Sequence, residues 1–304
     1  MDGGAFQNLR AVGYVFAGSV IYALIFASLK LTDGAVRLGP IMFLRYFGSV
    51  LTLVAFMCIS GQPLRMLQSR QRGLHFLRAL FAVSGVGAVI FASSKMPVLD
   101  ATAISMLHVI GVVGLAAVVL GERLTVHVIA GSAISTIGAA TVMVSGGAFS
   151  SVSSALLFPS LVALAAAMLF ALDAFLLKIC SQLDSPLSTL MHVNAFALAL
   201  TLVPCIVTWE NSASVGTIAL LFAFGPLAIG AQFLIFRAYA AAPLSIVAPV
   251  DYSLLAASCF IGIVLFDEIP TSGSLVGSAM IAAGAVVVAL AKSKVRRRSI
   301  KSRQ

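Results

Sequence analysis

The 304-residue chain is 61% hydrophobic and only 10% charged, with a mean hydropathy of +1.10, whereas a water-facing domain carries about 25% charged residues; a soluble globule is excluded. The net charge of +9 would raise nucleic acid as a partner, but seven of the nineteen basic residues (Lys292, Lys294, Arg296, Arg297, Arg298, Lys301 and Arg303) follow the last apolar run without interleaved aromatics. That pattern reads as a basic tail on anionic headgroups rather than a single-strand binder, and no nucleic-acid partner is expected.

The apolar runs have the length that crosses a bilayer as a helix, about 20 residues. In chain order they predict ten spans: Ala11–Leu31, Gly39–Ser60, Leu74–Met96, Val98–Leu120, Val126–Ser145, Ala155–Cys180, Leu187–Thr208, Val215–Ala240, Leu244–Phe266 and Ser272–Ala291. The first is too long for a secretory signal, and no cleavage site follows it. The connections are short, so sequential spans should be antiparallel neighbours. With both ends inside, Arg10, Arg65, Arg70, Arg72, Arg123, Lys178, Arg237 and the tail face the cytoplasm, against Lys30, Arg37 and Lys95 outside. The positive-inside bias therefore predicts a multi-pass inner (plasma) membrane protein of bacterial type with both termini cytoplasmic. Trp209 falls at an outer helix end, where it would anchor the interface.

Cys58, Cys180, Cys205 and Cys259 lie in or at the ends of apolar segments without Cys-x-x-Cys spacing, and His75, His108, His127 and His192 fall in separate segments. No disulfide framework, metal site or other cofactor is expected. Neither a paired catalytic constellation nor a phosphate-binding Gly-x-x-x-x-Gly-Lys-Ser/Thr loop occurs, which argues against an intramembrane enzyme and against direct use of ATP. A non-transporting sensor would ordinarily add a soluble output domain. Drive by an ion gradient or plain exchange is left.

Pro97, Glu122, Gly131 and Gly138 recur 146 residues later as Pro243, Glu268, Gly277 and Gly284, with Val118-Val119-Leu120-Gly121-Glu122 echoed by Val264-Leu265-Phe266-Asp267-Glu268. The spacing predicts two five-span halves, 1–145 and 146–291, followed by the tail 292–304. Five is odd, so the second half must enter the membrane upside down. The expected fold is therefore all-α: a polytopic membrane protein of ten transmembrane helices in two inverted five-helix repeats, an arrangement that carriers use for alternating access.

Leu120-Gly121-Glu122-Arg123-Leu124 with Gly131 and Gly138, and Ala248-Pro249-Val250-Asp251-Tyr252-Ser253-Leu254 with Phe266-Asp267-Glu268-Ile269-Pro270 and Gly277, make the whole chain resemble the ten-helix EamA type of the drug/metabolite transporter superfamily. The second stretch is similar to the subgroup that includes S-adenosylmethionine and riboflavin carriers. The resemblance implies a carrier and does not choose the substrate. Many members have a proline thirteen residues before each Glu; here those positions are Val109 and Leu255, which puts a kink there in doubt, although Pro249 could supply one nearby.

Ionisable groups inside a span cost about 2.5–3.5 kcal/mol each at the helix centre, so each needs a partner, water or a function. Asp251 is the foremost candidate, as a cation-binding or proton-accepting carboxylate; the alternative is a structural ion pair with Arg45 or Arg78. Its counterpart in the repeat is Ser105, Tyr252 follows it, and Pro249 frees a backbone carbonyl close by. Arg45 suits a substrate carboxylate or phosphate, or it snorkels to the outer headgroups, as Arg78 would on the inner side. His108 is either a proton relay or a neutral residue bonded to a neighbouring helix. Asp173 is expected to pair locally with Lys178 or to meet the interface, and Arg78, Asp173 and Pro249 are secondary candidates for substrate binding or coupling. Glu122 and Glu268 should stabilise the N-terminus of the helix that follows each, and the pairs Gly131/Gly138 and Gly85/Gly87 should admit close helix approach. The expected partners are the lipid bilayer, a small-molecule substrate of polar or zwitterionic character and, where a gradient drives it, protons, in a monomer or homodimer; efflux of a drug or organic cation is the alternative.

Overall fold

The computed structural model describes residues 3–29, 36–93, 95, 98–146, 148–149, 156–209, 214–266 and 270–290. Lys30, Pro97, Asp267, Glu268 and the tail 292–304 lie outside the described residues. The described residues form twelve α-helices: α1 Gly3–Leu29, α2 Leu38–Ile59, α3 Arg72–Ser93, α4 Val98–Ser105, α5 His108–Val118, α6 Val126–Ser145, α7 Leu157–Leu183, α8 Pro186–Thr208, α9 Val215–Ala241, α10 Leu244–Val247, α11 Ser253–Phe266 and α12 Ser272–Ala289. They make ten spans long and apolar enough to cross a membrane. Several start where the sequence places a cap: the side chains of Thr125, Ser185, Ser214 and Thr271 accept from backbone N–H groups three residues on, at α6, α8, α9 and α12, which satisfies donors a helix start leaves open.

The spans alternate in direction. Gln7 meets Ala241, Asp184 meets His75, and Glu122 meets Leu244 at one end of the bundle. Ser145 meets Ser274 and Gly39 abuts Pro204 at the other. We call the end where α1 begins and α12 stops the near side.

Two spans expected to be continuous are broken. In the fourth, α4 stops at Ser105 and α5 starts at His108. The ninth runs α10, a 3-10 turn over Ala248–Tyr252, then α11. The breaks fall at matching places in the repeat, since Ser105 corresponds to Asp251. The fourth span breaks without any proline, so Val109 at the expected proline position does not keep it straight. Ser105 Oγ donates to Thr102 O at 2.8 Å, and Val109 N bonds Met106 O rather than Ser105 O. His108 Nδ1 lies 3.0 Å from Ser105 O; a carbonyl only accepts, so this nitrogen donates and replaces the missing backbone bond. In the ninth span Pro249 has no N–H to give.

The packing maps onto itself when the halves are exchanged. α1 packs on α9 as α7 packs on α3, α1 on α11 as α7 on α4 and α5, and α2 on α9 as α8 on α3, while α2 pairs with α8 and α6 with α12. In the α6–α12 seam Gly131 faces Gly284 and Gly138 faces Gly277. Between them Ser135 Oγ reaches Ile281 O at 3.5 Å, and these two residues are repeat counterparts. Equivalent helices that run antiparallel and touch at equivalent residues must be related by a two-fold axis perpendicular to both, which lies in the membrane plane. Gly131, Ser135, Gly138, Gly277 and Gly284 line a seam too close for larger side chains. Gly85 likewise lies against the Phe170 ring, but Gly87 faces open space, so the expected close approach holds for the first of that pair and not the second.

Candidate functional site

The two broken spans deliver Ser105, His108, Asp251 and Tyr252 to the interior of the bundle. Asp251 sits within the 3-10 turn, its carboxylate 3.5 Å from the Tyr239 hydroxyl of α9. Neither Arg45 nor Arg78 forms an ion pair with it among the described residues. Tyr252 is buried, and its hydroxyl lies 3.5 Å from Thr136 of α6. Pro249 is buried in the same turn. Ser105 is buried and turned back on its own helix. His108 is spent on Ser105 O through Nδ1, with its ring edge-on to Phe170 at 5.9 Å.

Asp173 does not pair with Lys178. Its carboxylate accepts from Arg78 Nε at 3.0 Å across the α3–α7 seam, with side-chain exposures of 23% and 10%. Arg78 therefore points inward and is not a snorkelling residue. Lys178 instead donates to Tyr239 O at 2.6 Å and to Ala242 O at 2.5 Å, carbonyls that the end of α9 leaves open. One side chain thus holds α7 against the end of α9.

Toward the far side, the Arg45 guanidinium lies 4.4 Å over the ring of Tyr46. It reaches Tyr22 of α1 electrostatically, and Tyr22 also hydrogen-bonds Gln232 of α9. Gln232 exchanges hydrogen bonds with Asn194 of α8 at 2.8 and 3.4 Å. A polar column thus runs down the bundle from Arg45 and Tyr22 through Gln232 and Asn194 to Asp173, Arg78, Tyr239 and Asp251, with contributions from both halves. Tyr22, Asp173 and Asp251 are each partly exposed. Tyr22, Asn194, Gln232 and Tyr239 were not singled out by the sequence reading. Their signal, a polar group in an apolar span, differs from that of Asp251 only in lacking formal charge.

At the near end Glu122 does something the sequence reading places elsewhere. It does not serve the helix that follows it. Oε1 accepts from Leu244 N at 2.8 Å, and Oε2 accepts from Ser245 N at 2.9 Å and Ser245 Oγ at 2.7 Å. The carboxylate of the first half therefore caps α10 of the second, two turns before Asp251 in the ninth span. Glu122→Ala is expected to lower stability by about 1–3 kcal/mol, since it strands three donors. Glu122→Gln should fall between, because its amide nitrogen cannot accept. Thermal unfolding of the detergent-solubilised chain checks this, and identical melting of all three proteins would remove the cap from the account.

The histidines, separate in sequence, partly converge here. His75 Nε2 lies 2.9 Å from Asp184 and 3.2 Å from Ser69 Oγ, which itself donates to Asp184 at 2.7 Å. His75 also stacks on His192 at 5.2 Å. These groups join α3 and the preceding loop to the α7–α8 turn. Among the described residues no group of three or more His, Cys, Asp or Glu is arranged to hold a metal ion.

Residues 9–144 match the model of the EamA-like transporter family. A solved crystal structure, described only as a protein, superposes with a TM-score of 0.78 at 20% identity, covering 91% of this chain and 97% of that one; it shares the fold. No curated protein matches the sequence. The described residues supply ten helices long and apolar enough to cross a membrane, which makes this a multi-pass membrane protein, and its first half is similar to a family of transporters.

Proposed function

We propose that this EamA-like chain is a secondary carrier that moves a small polar or zwitterionic metabolite across an inner membrane, its halves 1–145 and 146–291 working as inverted repeats in alternating access. The observation that carries the proposal is Asp251: a partly exposed carboxylate deep in the bundle, at a helix break, whose one polar partner among the described residues is the Tyr239 hydroxyl. An intramembrane carboxylate without a countercharge is suited to a cationic group of the substrate or to a proton. Arg45, stacked on Tyr46 in the opposite half of the column, supplies a positive group for a substrate carboxylate or phosphate. Tyr239, Tyr252 and Gln232 give neutral hydrogen-bonding groups between. An organic cation would use Asp251 in the same way and leave Arg45 without a role.

The test is reconstitution in liposomes, with labelled amino acids, S-adenosylmethionine, riboflavin and an organic cation offered with and without a pH gradient. Wild type is expected to move at least one of them, and Asp251→Asn to lose at least tenfold in rate or to lose its response to the gradient. Equal transport by Asp251→Asn under every gradient would remove Asp251 from the mechanism. Thiol labelling of cysteines placed at Gln68 and at Phe149 tests the orientation, the first expected to react from the cytoplasm and the second from outside.

A further inference from the structure

The start of α1 and the end of α9 meet on the near side, where Gln7 Nε2 donates to Ala241 O at 2.8 Å. The two helices run antiparallel, so one turn further into the membrane Arg10 and Arg237 come level. Both line a single hollow of about 230 Å³, with Phe6, Gln7, Tyr14 and Ala241. Arg10 donates through Nε to the Tyr14 hydroxyl at 2.8 Å, which occupies one edge of the guanidinium and leaves its terminal nitrogens. Arg237 lies 5.7 Å over the ring of Phe233. Among the described residues neither arginine has a carboxylate partner. Two cations facing one hollow without an anion repel each other until something negative enters.

The fold itself does not require them. Exchange of the halves carries the α1–α9 seam to the α7–α3 seam on the far side, and there Phe91 and Phe158 meet edge-on at 6.0 Å. Aromatic side chains close one end of the pair of seams, and a basic hollow opens the other.

We propose that this hollow seats a phosphate-bearing anion held by both guanidiniums, and that in the membrane the phosphate is the headgroup of an anionic phospholipid. Arginine offers phosphate two parallel donors in a fixed fork. The hollow is smaller than the roughly 300–1,000 Å³ that drug-sized ligands occupy, and its depth, one turn inside the helix ends, is that of the headgroup layer. Phe6, exposed on its lining, is placed for the first acyl carbons.

The test uses the full chain in detergent, followed by native mass spectrometry during titration with phosphatidylglycerol, phosphatidylcholine or inorganic phosphate. Wild type is expected to retain phosphatidylglycerol over phosphatidylcholine. R10Q/R237Q should weaken phosphatidylglycerol binding about thirtyfold, as expected for two basic residues at the surface. R70Q/R72Q, which removes two near-side charges elsewhere, should leave it unchanged. If R10Q/R237Q does not fold, R10K/R237K carries the test, with weaker binding expected because lysine keeps the charge and loses the fork. Inorganic phosphate binding as tightly as the lipid would support the phosphate site and make soluble phosphate its source. Equal weakening by R70Q/R72Q, or equal retention of both lipids by wild type, overturns the proposal.

Discussion

Alanine in place of Gly138 or Gly277 is expected to lower the melting temperature of the solubilised chain markedly. A Cβ on Gly138 would lie 2.7 Å from Gly277 O and 2.9 Å from Ile281 N; one on Gly277 would lie 2.6 Å from Gly138 O and 2.9 Å from Val142 N. These are backbone atoms of the facing helix, so no rotamer change relieves the overlap and the helices must part. Overpacking of this kind costs about 1–3 kcal/mol. Parting also weakens the dispersion contacts that hold membrane helices together when no water drives them. Gly87→Ala and Gly114→Ala are the controls. A Cβ there meets nothing within 4 Å, and the change should be neutral or stabilising by about 0.5–1 kcal/mol through helix propensity. Gly138→Ala melting together with Gly87→Ala would mean that α6 and α12 do not cross as described.

That seam was legible in the sequence because its glycines repeat at one offset, and the offset then fixed the relation of the halves. The number and order of the spans were equally legible, since lipid forces each crossing into one long apolar run. What could not be read was the interruption of the fourth span, whereas Pro249 marked the one in the ninth. Val98–Leu120 looks continuous by composition, because a break made by Ser105 Oγ and His108 Nδ1 donating to backbone carbonyls leaves the hydropathy little changed. Partnerships across the halves were hidden for a related reason. Glu122 is close in sequence to the start of α6, which Thr125 already caps, and 122 residues from the α10 start that it does cap. Asp173 stands five residues from Lys178 and takes Arg78, because Lys178 has the open carbonyls of α9 within reach. Asp251 was marked by its charge, whereas Asn194 and Gln232 satisfy each other across α8 and α9 and carry no charge to attract notice.

The second large effect belongs to the Arg78–Asp173 pair. Either Arg78→Met or Asp173→Leu is expected to destabilise the chain strongly, and R78M/D173L much less than their sum. The pair is mostly enclosed, with Arg78 Nε 3.0 Å from the carboxylate, so each single change strands the other member in a poorly solvated place. Removing one partner of a buried pair costs about 3–5 kcal/mol, while replacing both with apolar groups is often neutral. The 23% exposure of Asp173 lets water take part of the charge, which puts the Arg78→Met loss at the lower end, about 3 kcal/mol. Arg78→Lys should lie between, since an ammonium keeps the charge but cannot donate from the Nε position. A double-mutant cycle on thermal or denaturant unfolding in detergent reads the coupling directly. A coupling near zero would mean that α3 and α7 are held by their apolar seam alone, and that the carboxylate of Asp173 faces the water in the bundle as a second charge open to substrate beside Asp251.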